Sequence, residues 1–398
     1  MSSSESKFPF PEGPLATQPP EYVRRRSQCP LGEVSLPSGD SAMLAVRYDD
    51  VEAIMKDPRF TRDLSAPGSP VLFPADGLSS DSTFLVNMDG PDHRRLRRIV
   101  AGAFSPRRAE QWRPDIRAII EELLDPIEKS GPPADLIATL AFPLPVRIIC
   151  KQLGVPEEDS VRFREWVEAF LSVSGKSPDQ RDAAMRDFTA YTVGLIARHR
   201  AHPGDDLVDH LISARDEDDR LSEEELVSMT RGLIVAGNET IANALSRVLL
   251  VLLMRPHVLE SLRADPSLIP ASIDELLRLN PPGRIGLLRM ATEDVELPSG
   301  TVRAGQGVLS PLIAAGHDPE KFPDPEEFVL NREGPSSLVF GVGPHYCLGA
   351  HLARVELEEA VAAVIARFPT LRLTVPPEEL PWSTGLWAVS LRGLPVTW

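Results

Sequence analysis

The chain has 398 residues, of which 42% are hydrophobic and 25% are charged, so it is long enough to bury a large core. Its 39 prolines are spread along the chain without a linker-like cluster, which indicates a single domain over residues 1–398. The net charge of −16 argues against nucleic acid as a general partner. The longest apolar run, residues 248–254, is too short to span a bilayer, and residues 1–10 lack a signal-peptide pattern. Together with only three scattered cysteines, these features predict a cytoplasmic protein with no membrane partner.

The N-terminal part predicts an arm, a small sheet and a long loop. Residues 1–20 hold five prolines and few large apolar groups, which favours a loose arm on the surface. A short strand at residues 43–46 and a short helix at Tyr48–Lys56 suggest a small sheet at one edge. Residues 62–90 are rich in Gly, Pro, Ser and Asp, so we expect a long loop that is a candidate lid.

A basic segment follows in this acidic chain. A helix beginning at Asp92 carries His93 and Arg97 four residues apart, hence on one face, where they suit an anion. Residues 93–117 contain eight arginines but only two acidic residues. Such a patch is commonly a solvated helix face, and it also fits an acidic protein partner or an anionic cofactor group.

The middle of the chain is predominantly helical. Helical patterns occur near residues 109–129, 143–153, 157–173, 180–201 and 205–214. The longest pattern, residues 221–254, opens with a capping box of Ser222 and Glu225 and predicts a helix of about 48 Å that crosses the domain. In its middle, residues 236–240 read Ala-Gly-Asn-Glu-Thr, although glycine weakens a helix and buried polar groups need partners. The Thr240 hydroxyl can bond the carbonyl four residues earlier and open a groove for a small ligand.

Towards the C-terminus the pattern becomes mixed. Glu275 and Arg278 lie three residues apart on a predicted helix, close enough to pair, although such pairs are common on surface helices. Arg289 precedes a strand pattern at Val295–Leu297, and nearby Gly-containing turns suggest short antiparallel strands.

The segment Phe-Gly-Val-Gly-Pro-His-Tyr-Cys-Leu-Gly, residues 340–349, places Cys347 between a glycine-rich turn and a predicted helix. Gly341 lets the backbone approach a flat partner closely, and Gly349 thins the first helical turn. The positive end of the helix dipole favours the thiolate of Cys347. One cysteine without a nearby second ligand does not make a tetrahedral zinc or iron–sulfur site, but it can supply one axial bond to haem iron. The alternative is a structural cysteine buried in a turn.

The cysteine segment closely resembles the ligand loop of the cytochrome P450 family. Residues 236–240 are similar to the family's acid–alcohol motif, and the His-Arg helix and the Glu-Arg pair occur in family order over residues 92–349. The resemblance implies a soluble bacterial-type member with a mainly α fold and small β-sheets (α+β). A long central helix would cross the distal face of the haem. The implied cofactor is heme b, iron protoporphyrin IX, with an axial cysteine thiolate.

The same resemblance implies a role for each matching residue. Cys347 is the proximal iron ligand and Phe340 packs near its sulfur, while the loop glycines Gly341 and Gly349 lie against the cofactor. The residues expected to bind the haem propionates are His93, Arg97, Arg289 and His345. On the distal side, Ala236 and Gly237 face the haem, Thr240 hydrogen-bonds the reduced dioxygen and Glu239 supplies protons. A structural network is formed by Glu275, Arg278 and Arg332.

The implied reaction is the activation of dioxygen with two electrons from a ferredoxin and its reductase, which draw on NADPH or NADH. The product is a hydroxylated, epoxidised or coupled form of a medium-sized, mostly apolar small molecule, expected in secondary metabolism such as antibiotic biosynthesis. Ile241 departs from the hydroxyl residue that often follows the threonine. The resemblance implies a pocket lined by Phe84, Leu85, Val173, Val235, Asn238, Ile285, Leu287 and Trp387.

Three alternatives remain open at this point. A peroxide-driven haem-thiolate enzyme would not need the acid and alcohol of residues 239–240. A haem-based gas or redox sensor would bind the cofactor without turnover, and turnover with NADPH, ferredoxin and reductase discriminates it. A basic nucleic-acid module would bind any duplex with strong salt dependence.

Overall fold

The computed structural model describes residues 7–14, 17–74, 81–171, 176–216, 220–383 and 389–398. These parts of the chain are mainly helical with small sheets, as the sequence predicts. The helices are α1 (Pro20–Gln28), α2 (Tyr48–Lys56), α3 (Gly90–Ala101), α4 (Pro106–Ser130), α5 (Pro143–Gln152), α6 (Ser160–Leu171), α7 (Pro178–Ala201), α8 (Leu207–Asp216), α9 (Glu223–Leu253), α10 (Pro256–Ala264), α11 (Ile269–Leu279), α12 (Leu312–Gly316) and α13 (Ala350–Arg367).

Short strands form three sheets within the described residues. The strands are β1 (Leu31–Ser35), β2 (Ser41–Ala45), β3 (Phe60–Thr61), β4 (Ala134–Asp135), β5 (Arg289–Ala291), β6 (Val295–Leu297), β7 (Gly300–Val302), β8 (Gly307–Leu309), β9 (Arg372–Leu373) and β10 (Pro395–Thr397). The five-stranded sheet has the order β1-β2-β8-β5-β3, with β2 and β8 parallel and the other pairs antiparallel. The others are β4-β10-β9 and the β6-β7 hairpin. The edge sheet is larger than predicted because β5 and β8 join it from far along the chain.

Helix α9 is the central helix that the sequence predicts. Its capping box is present: the Glu225 N–H donates to Ser222 Oγ at 3.1 Å, and the Ser222 N–H donates to Glu225 Oε2 at 2.8 Å. Its C-terminal half is buried almost all round, and helices α5, α7, α11 and α13 pack against it. Each of its turns therefore has a defined neighbour, so polar groups in its middle are held in place by packing.

In the parts of the chain that the structure describes, no single helix has both the length and the apolar composition to cross a membrane. Helices α9 and α10 reach those limits only when they are taken together, and they are bent by 100° relative to each other.

The described part of the N-terminal arm is not loose, contrary to the prediction. Phe8 is buried, and its N–H donates to the Ser35 carbonyl at 2.9 Å. The rings of Phe8, Phe10 and Tyr22 meet edge to face, and the Glu12 carboxylate pairs with Arg284. The proline content of the arm gives no sign of these contacts, because all the partners except those in the Phe8–Phe10 pair lie outside the arm in the sequence.

Candidate active site

The cysteine segment forms a tight loop before α13. Gly341 and Gly343 have φ values of 70° and 76°, in the left-handed region that favours glycine. The Cys347 N–H donates to the Phe340 carbonyl at 2.8 Å, and the Arg354 guanidinium lies 4.4 Å from the centre of the Phe340 ring. The loop thus fixes the backbone of Cys347 and leaves its sulfur available.

The Cys347 side chain is accessible to solvent although the protein packs closely around it. Burial raises the pKa of its thiol, against the opposing effects of the Gly349 N–H and the Arg97 and Arg354 cations. In the metal-free chain, the loss of hydration thus opposes the thiolate that the helix N-terminus favours. A coordinated metal ion removes this barrier, since a coordinating thiol is deprotonated outright.

Two histidines stack beside this loop. The rings of His93 in α3 and His345 lie 4.4 Å apart and 29° from parallel. His345 Nε2 is 2.9 Å from Asp89 Oδ1, and Asp89 Oδ2 accepts from the Arg62 N–H at 2.6 Å and from Thr61 Oγ1 at 2.8 Å. Burial, with the nearby His345 and Arg97, lowers the pKa of His93 to about 4. Asp89 belongs to none of the motifs recognised in the sequence, although its position directly before the Gly-Pro start of α3 was a usable signal.

Two arginines complete the cationic group. Arg97 donates to the Tyr346 carbonyl, so α3 is joined to the cysteine loop, and Arg289 donates to the Phe60 carbonyl at 3.2 Å. Burial lowers the pKa of the Arg289 guanidinium to about 10, opposed by Asp89. A guanidinium with a single carbonyl partner retains donors for carboxylates. The donor set of Arg97, Arg289 and the two histidines, next to an accessible thiol, fits a haem with its two propionates.

The middle of α9 has one exposed stripe. Ala236 and Thr240, four residues apart, are exposed in a helix whose other residues are largely buried. Thr240 Oγ1 donates to the Ala236 carbonyl at 2.6 Å, which is the bond expected from the sequence. Gly237 is half-buried, and a Cβ at this position would lie 3.1 Å from Ile149 Cδ1. Because residue 237 has no side chain, helix α9 can approach α5 closely at this point.

Glu239 lies beside this stripe with two hydrogen-bond donors. Its Oε1 accepts from Ser390 Oγ at 3.0 Å and from Asn243 Nδ2 at 3.2 Å. Burial raises the pKa of Glu239, and these bonds only partly offset it. The raised pKa favours the protonated carboxyl group, which can donate a proton. Ser390 had no sequence signal, because it is 151 positions away in the chain.

The predicted network around Glu275 is present and buried. Arg278 donates to Glu275 from Nε at 2.7 Å and from Nη2 at 2.8 Å, and Arg332 Nε donates to the same carboxylate at 3.0 Å. The remaining Arg278 and Arg332 donors reach backbone carbonyls of residues 316 and 323–327. Burial would raise the pKa of Glu275, but the two arginines and the Val329 N–H outweigh it and lower the pKa. One carboxylate thus joins α11 to the irregular segment that leads to the cysteine loop.

Two of the residues expected to line the pocket, Phe84 and Asn238, lie on different sides of α9. Phe84 is 4% exposed and lies against α9 at Gly232. Asn238 was expected to line the pocket, but it is only 1% exposed and lies about 200° around the helix from Ala236. The expectation is therefore wrong for Asn238.

The structure describes the burial of four of the six other residues expected to line the pocket. Val235 is buried in the main core, Leu85 packs against that core, Ile285 packs against the cluster of the first sheet, and Leu287 is half-buried. Val173 and Trp387 lie outside the described residues.

Comparison with known proteins finds one matching family model and relatives that are similar over nearly the full length of the chain. The Cytochrome P450 family model matches residues 179–392. Nocardicin C N-oxygenase of Nocardia uniformis subsp. tsuyamanensis is 40% identical over 394 residues, which cover 98% of each chain. Mycinamicin IV hydroxylase/epoxidase of Micromonospora griseorubida is 40% identical over 401 residues and is covered completely, as is this chain.

A solved structure is similar to this chain in both sequence and fold. The LnmA cytochrome P450 hydroxylase of Streptomyces atroolivaceus S-140, from the leinamycin biosynthetic pathway, is 40% identical with a TM-score of 0.90 and covers 99% of this chain and 100% of its own. Both the sequence and the fold are thus matched over almost their entire length, including the cysteine loop and the central helix. The chain therefore belongs to the cytochrome P450 family and is a haem-thiolate monooxygenase of the bacterial type.

Proposed function

We propose that this monooxygenase hydroxylates or epoxidises a medium-sized, mostly apolar molecule of secondary metabolism at a site between Cys347 and the Ala236–Thr240 stripe. The observation that carries the proposal is the accessible stripe in the middle of an otherwise buried helix, in a chain whose accessible cysteine follows a tight glycine loop. Two of its relatives are named as a mycinamicin IV hydroxylase/epoxidase and a nocardicin C N-oxygenase, which supports oxygen transfer to an organic small molecule.

Each residue of the site has a defined task in this proposal. Haem bound through Cys347 supplies the reductive activation of dioxygen. Arg97, Arg289 and the two stacked histidines hold its propionates and so fix its orientation. Ala236 leaves space above the ring because its side chain is small. Thr240 presents its hydroxyl there, and the Glu239 carboxyl supplies protons.

The role of Thr240 gives the most direct test. Thr240→Ala should leave the fold, the ferrous carbonyl spectrum and substrate affinity unchanged, because its hydroxyl only bonds its own helix. Product formed per NADPH should fall several-fold, about 1–2 kcal/mol in branching, with hydrogen peroxide released instead. We expect the larger end of this range, because Ile241 offers no second hydroxyl. Peroxide and product are measured together, with a substrate found by screening for the low-spin to high-spin Soret shift.

Thr230 provides the matched control for this experiment. Its Oγ1 makes the same bond to the carbonyl four residues earlier, at 2.9 Å, but it is fully buried in the same helix. Thr230→Ala should keep wild-type coupling. Wild-type coupling in Thr240→Ala would contradict the proposed role and assign proton delivery to the substrate or to water.

We also propose that a ferredoxin docks on the basic segment beside the cysteine loop. Arg95, Arg113 and Arg117 are engaged by carboxylates of the protein itself. Within the described residues, four exposed arginines of this segment have no carboxylate partner, namely Arg94, Arg98, Arg107 and Arg108. These charges remain available to an acidic partner, and Arg97 joins the helix of Arg94 and Arg98 to the cysteine loop.

The double change Arg94→Glu with Arg108→Glu should raise the apparent Kd for ferredoxin about tenfold at low salt and weaken its salt dependence. Substrate affinity should stay the same. The control is Arg303→Glu with Arg372→Glu, which changes the net charge equally at exposed arginines outside this segment. Ferredoxin affinity that is equal in the two double variants would place the docking site elsewhere.

A further inference from the structure

We propose that Arg231 is a positioning residue that holds Phe84 as the end wall of the active site, and thereby limits how fast bulky ligands enter it. The inference rests on the proposed location of the site at Ala236 and Thr240, and it assigns a determinant of ligand size to that site.

The ring of Phe84 covers α9 on the side of the helix that carries the exposed residues Ala236 and Thr240. Gly232, Ala236 and Thr240 follow one another at intervals of four, so Gly232 is about 6 Å from Ala236 and about 12 Å from Thr240 along the helix axis. A Cβ on Gly232 would lie 3.2 Å from Phe84 Cδ1 and 3.5 Å from Cε1. The phenyl ring therefore takes the place that a side chain at position 232 would occupy, and the open stripe ends there.

Arg231 makes three contacts, of which one is to this ring and two hold the Arg231 side chain in place. Its Nη2 donates to Asp81 Oδ2 at 2.8 Å, and its Nη1 donates to Thr189 Oγ1 at 2.7 Å. The guanidinium carbon lies 5.1 Å from the centre of the Phe84 ring, a cation–π distance. The side chain is only 12% exposed, so these contacts are shielded from solvent.

The three contacts join three separate elements. Asp81 and Phe84 belong to the loop predicted as a lid, Thr189 belongs to α7, and Arg231 belongs to α9. Phe84 also packs on Phe170 of α6, with ring centres 5.0 Å apart. The loop cannot move away from α9 with Phe84 unless the bonds of Arg231 are broken or carried along.

This arrangement separates ligands by size. A small ligand fits the stripe beside Ala236 and Thr240 without touching the wall, whereas a bulky ligand has to displace Phe84. Displacing the ring disturbs the contacts of Arg231, which must open or move with the loop, and association is slow when binding requires a conformational change. The contacts of Arg231 should therefore control the association rate of bulky ligands and leave that of small ones unchanged.

The test uses the haem-loaded full chain with two azole probes, imidazole and the triphenylmethyl imidazole clotrimazole, and follows the Soret shift by stopped flow. Arg231→Met keeps the length of the side chain but removes the charge, and should raise the clotrimazole association rate roughly tenfold. Imidazole should bind as in the wild type. Phe84→Ala should give a similar increase. The double variant should be no faster than Phe84→Ala alone, because Arg231 acts through that ring.

Arg200→Met is the matched control, because Arg200 likewise joins two partners, Asp216 and Glu223, but makes no contact with Phe84. It should bind both probes like the wild type. Asp81→Asn weakens the same contacts from the loop and should raise the clotrimazole rate severalfold even if Arg231→Met does not fold.

The possible results separate this inference from the proposed function. A wild-type clotrimazole rate in Arg231→Met and Asp81→Asn, or additive effects of Arg231→Met and Phe84→Ala, would overturn the inference. A wild-type protein that shows no Soret shift with imidazole would overturn the proposed site itself.

Discussion

Replacing Cys347 with serine is expected to abolish the long-wavelength carbonyl band that thiolate ligation gives to ferrous haem. The serine hydroxyl is a poor ligand that stays protonated at neutral pH, and the push of electron density that promotes O–O cleavage is lost with the sulfur. The Cys347 sulfur is accessible at the end of a loop whose backbone is fixed by the bond to Phe340. Monooxygenase activity should therefore fall to background, and the carbonyl difference spectrum is the measurement.

The other two cysteines serve as controls. Cys29 is exposed in the N-terminal part, and Cys150 is buried in α5, where burial raises the pKa of its thiol to about 12. Cys29→Ser and Cys150→Ser should both keep the thiolate-type band. If that band persisted in Cys347→Ser, another residue would be the ligand.

Glu275→Gln is expected to destabilise the protein by about 3–5 kcal/mol, the typical loss when one partner of a buried ion pair is removed. Two arginine side chains, Arg278 and Arg332, share this carboxylate and would be left buried without a counter-charge. The free energy of unfolding is measured by denaturant titration of the haem-loaded protein. Haem retention should fall as well, because the network anchors the segment that leads to the cysteine loop.

The pH dependence of this loss has a definite sign. The pKa of Glu275 is lowered in the folded state, so its stabilisation is present above the ordinary glutamate pKa and disappears as the pH falls through the folded value. The difference between Glu275→Gln and the wild type should therefore shrink in acid.

Glu260→Gln provides the control for the network. Glu260 pairs with Arg263 at the same spacing of three residues, but its side chain is 70% exposed. Its loss should change stability by less than about 1 kcal/mol. Equal effects of the two substitutions would show that the Glu275 network does not act as a buried ion pair.

The local sequence determined much of the fold. Helix α2 has the predicted bounds, Tyr48–Lys56, and α9 begins with the predicted capping box. The bond from Thr240 to Ala236 and the pairing of Glu275 with Arg278 were also foreseen. All of these depend on residues at most four positions apart, where helix geometry alone fixes which groups meet.

The tertiary structure decided which groups surround the site. Asp89 meets His345 across 256 positions, and Ser390 meets Glu239 across 151, distances at which no local pattern applies. Gly237 turned out to serve the contact with Ile149, because the side of a helix that a neighbour covers depends on the neighbour. The local sequence thus determined the glycine-rich cysteine loop, the central helix and the Glu275–Arg278 pair. Only the folded chain decided the hydration of the Cys347 thiol and the position of Phe84, because both depend on atoms brought together by packing.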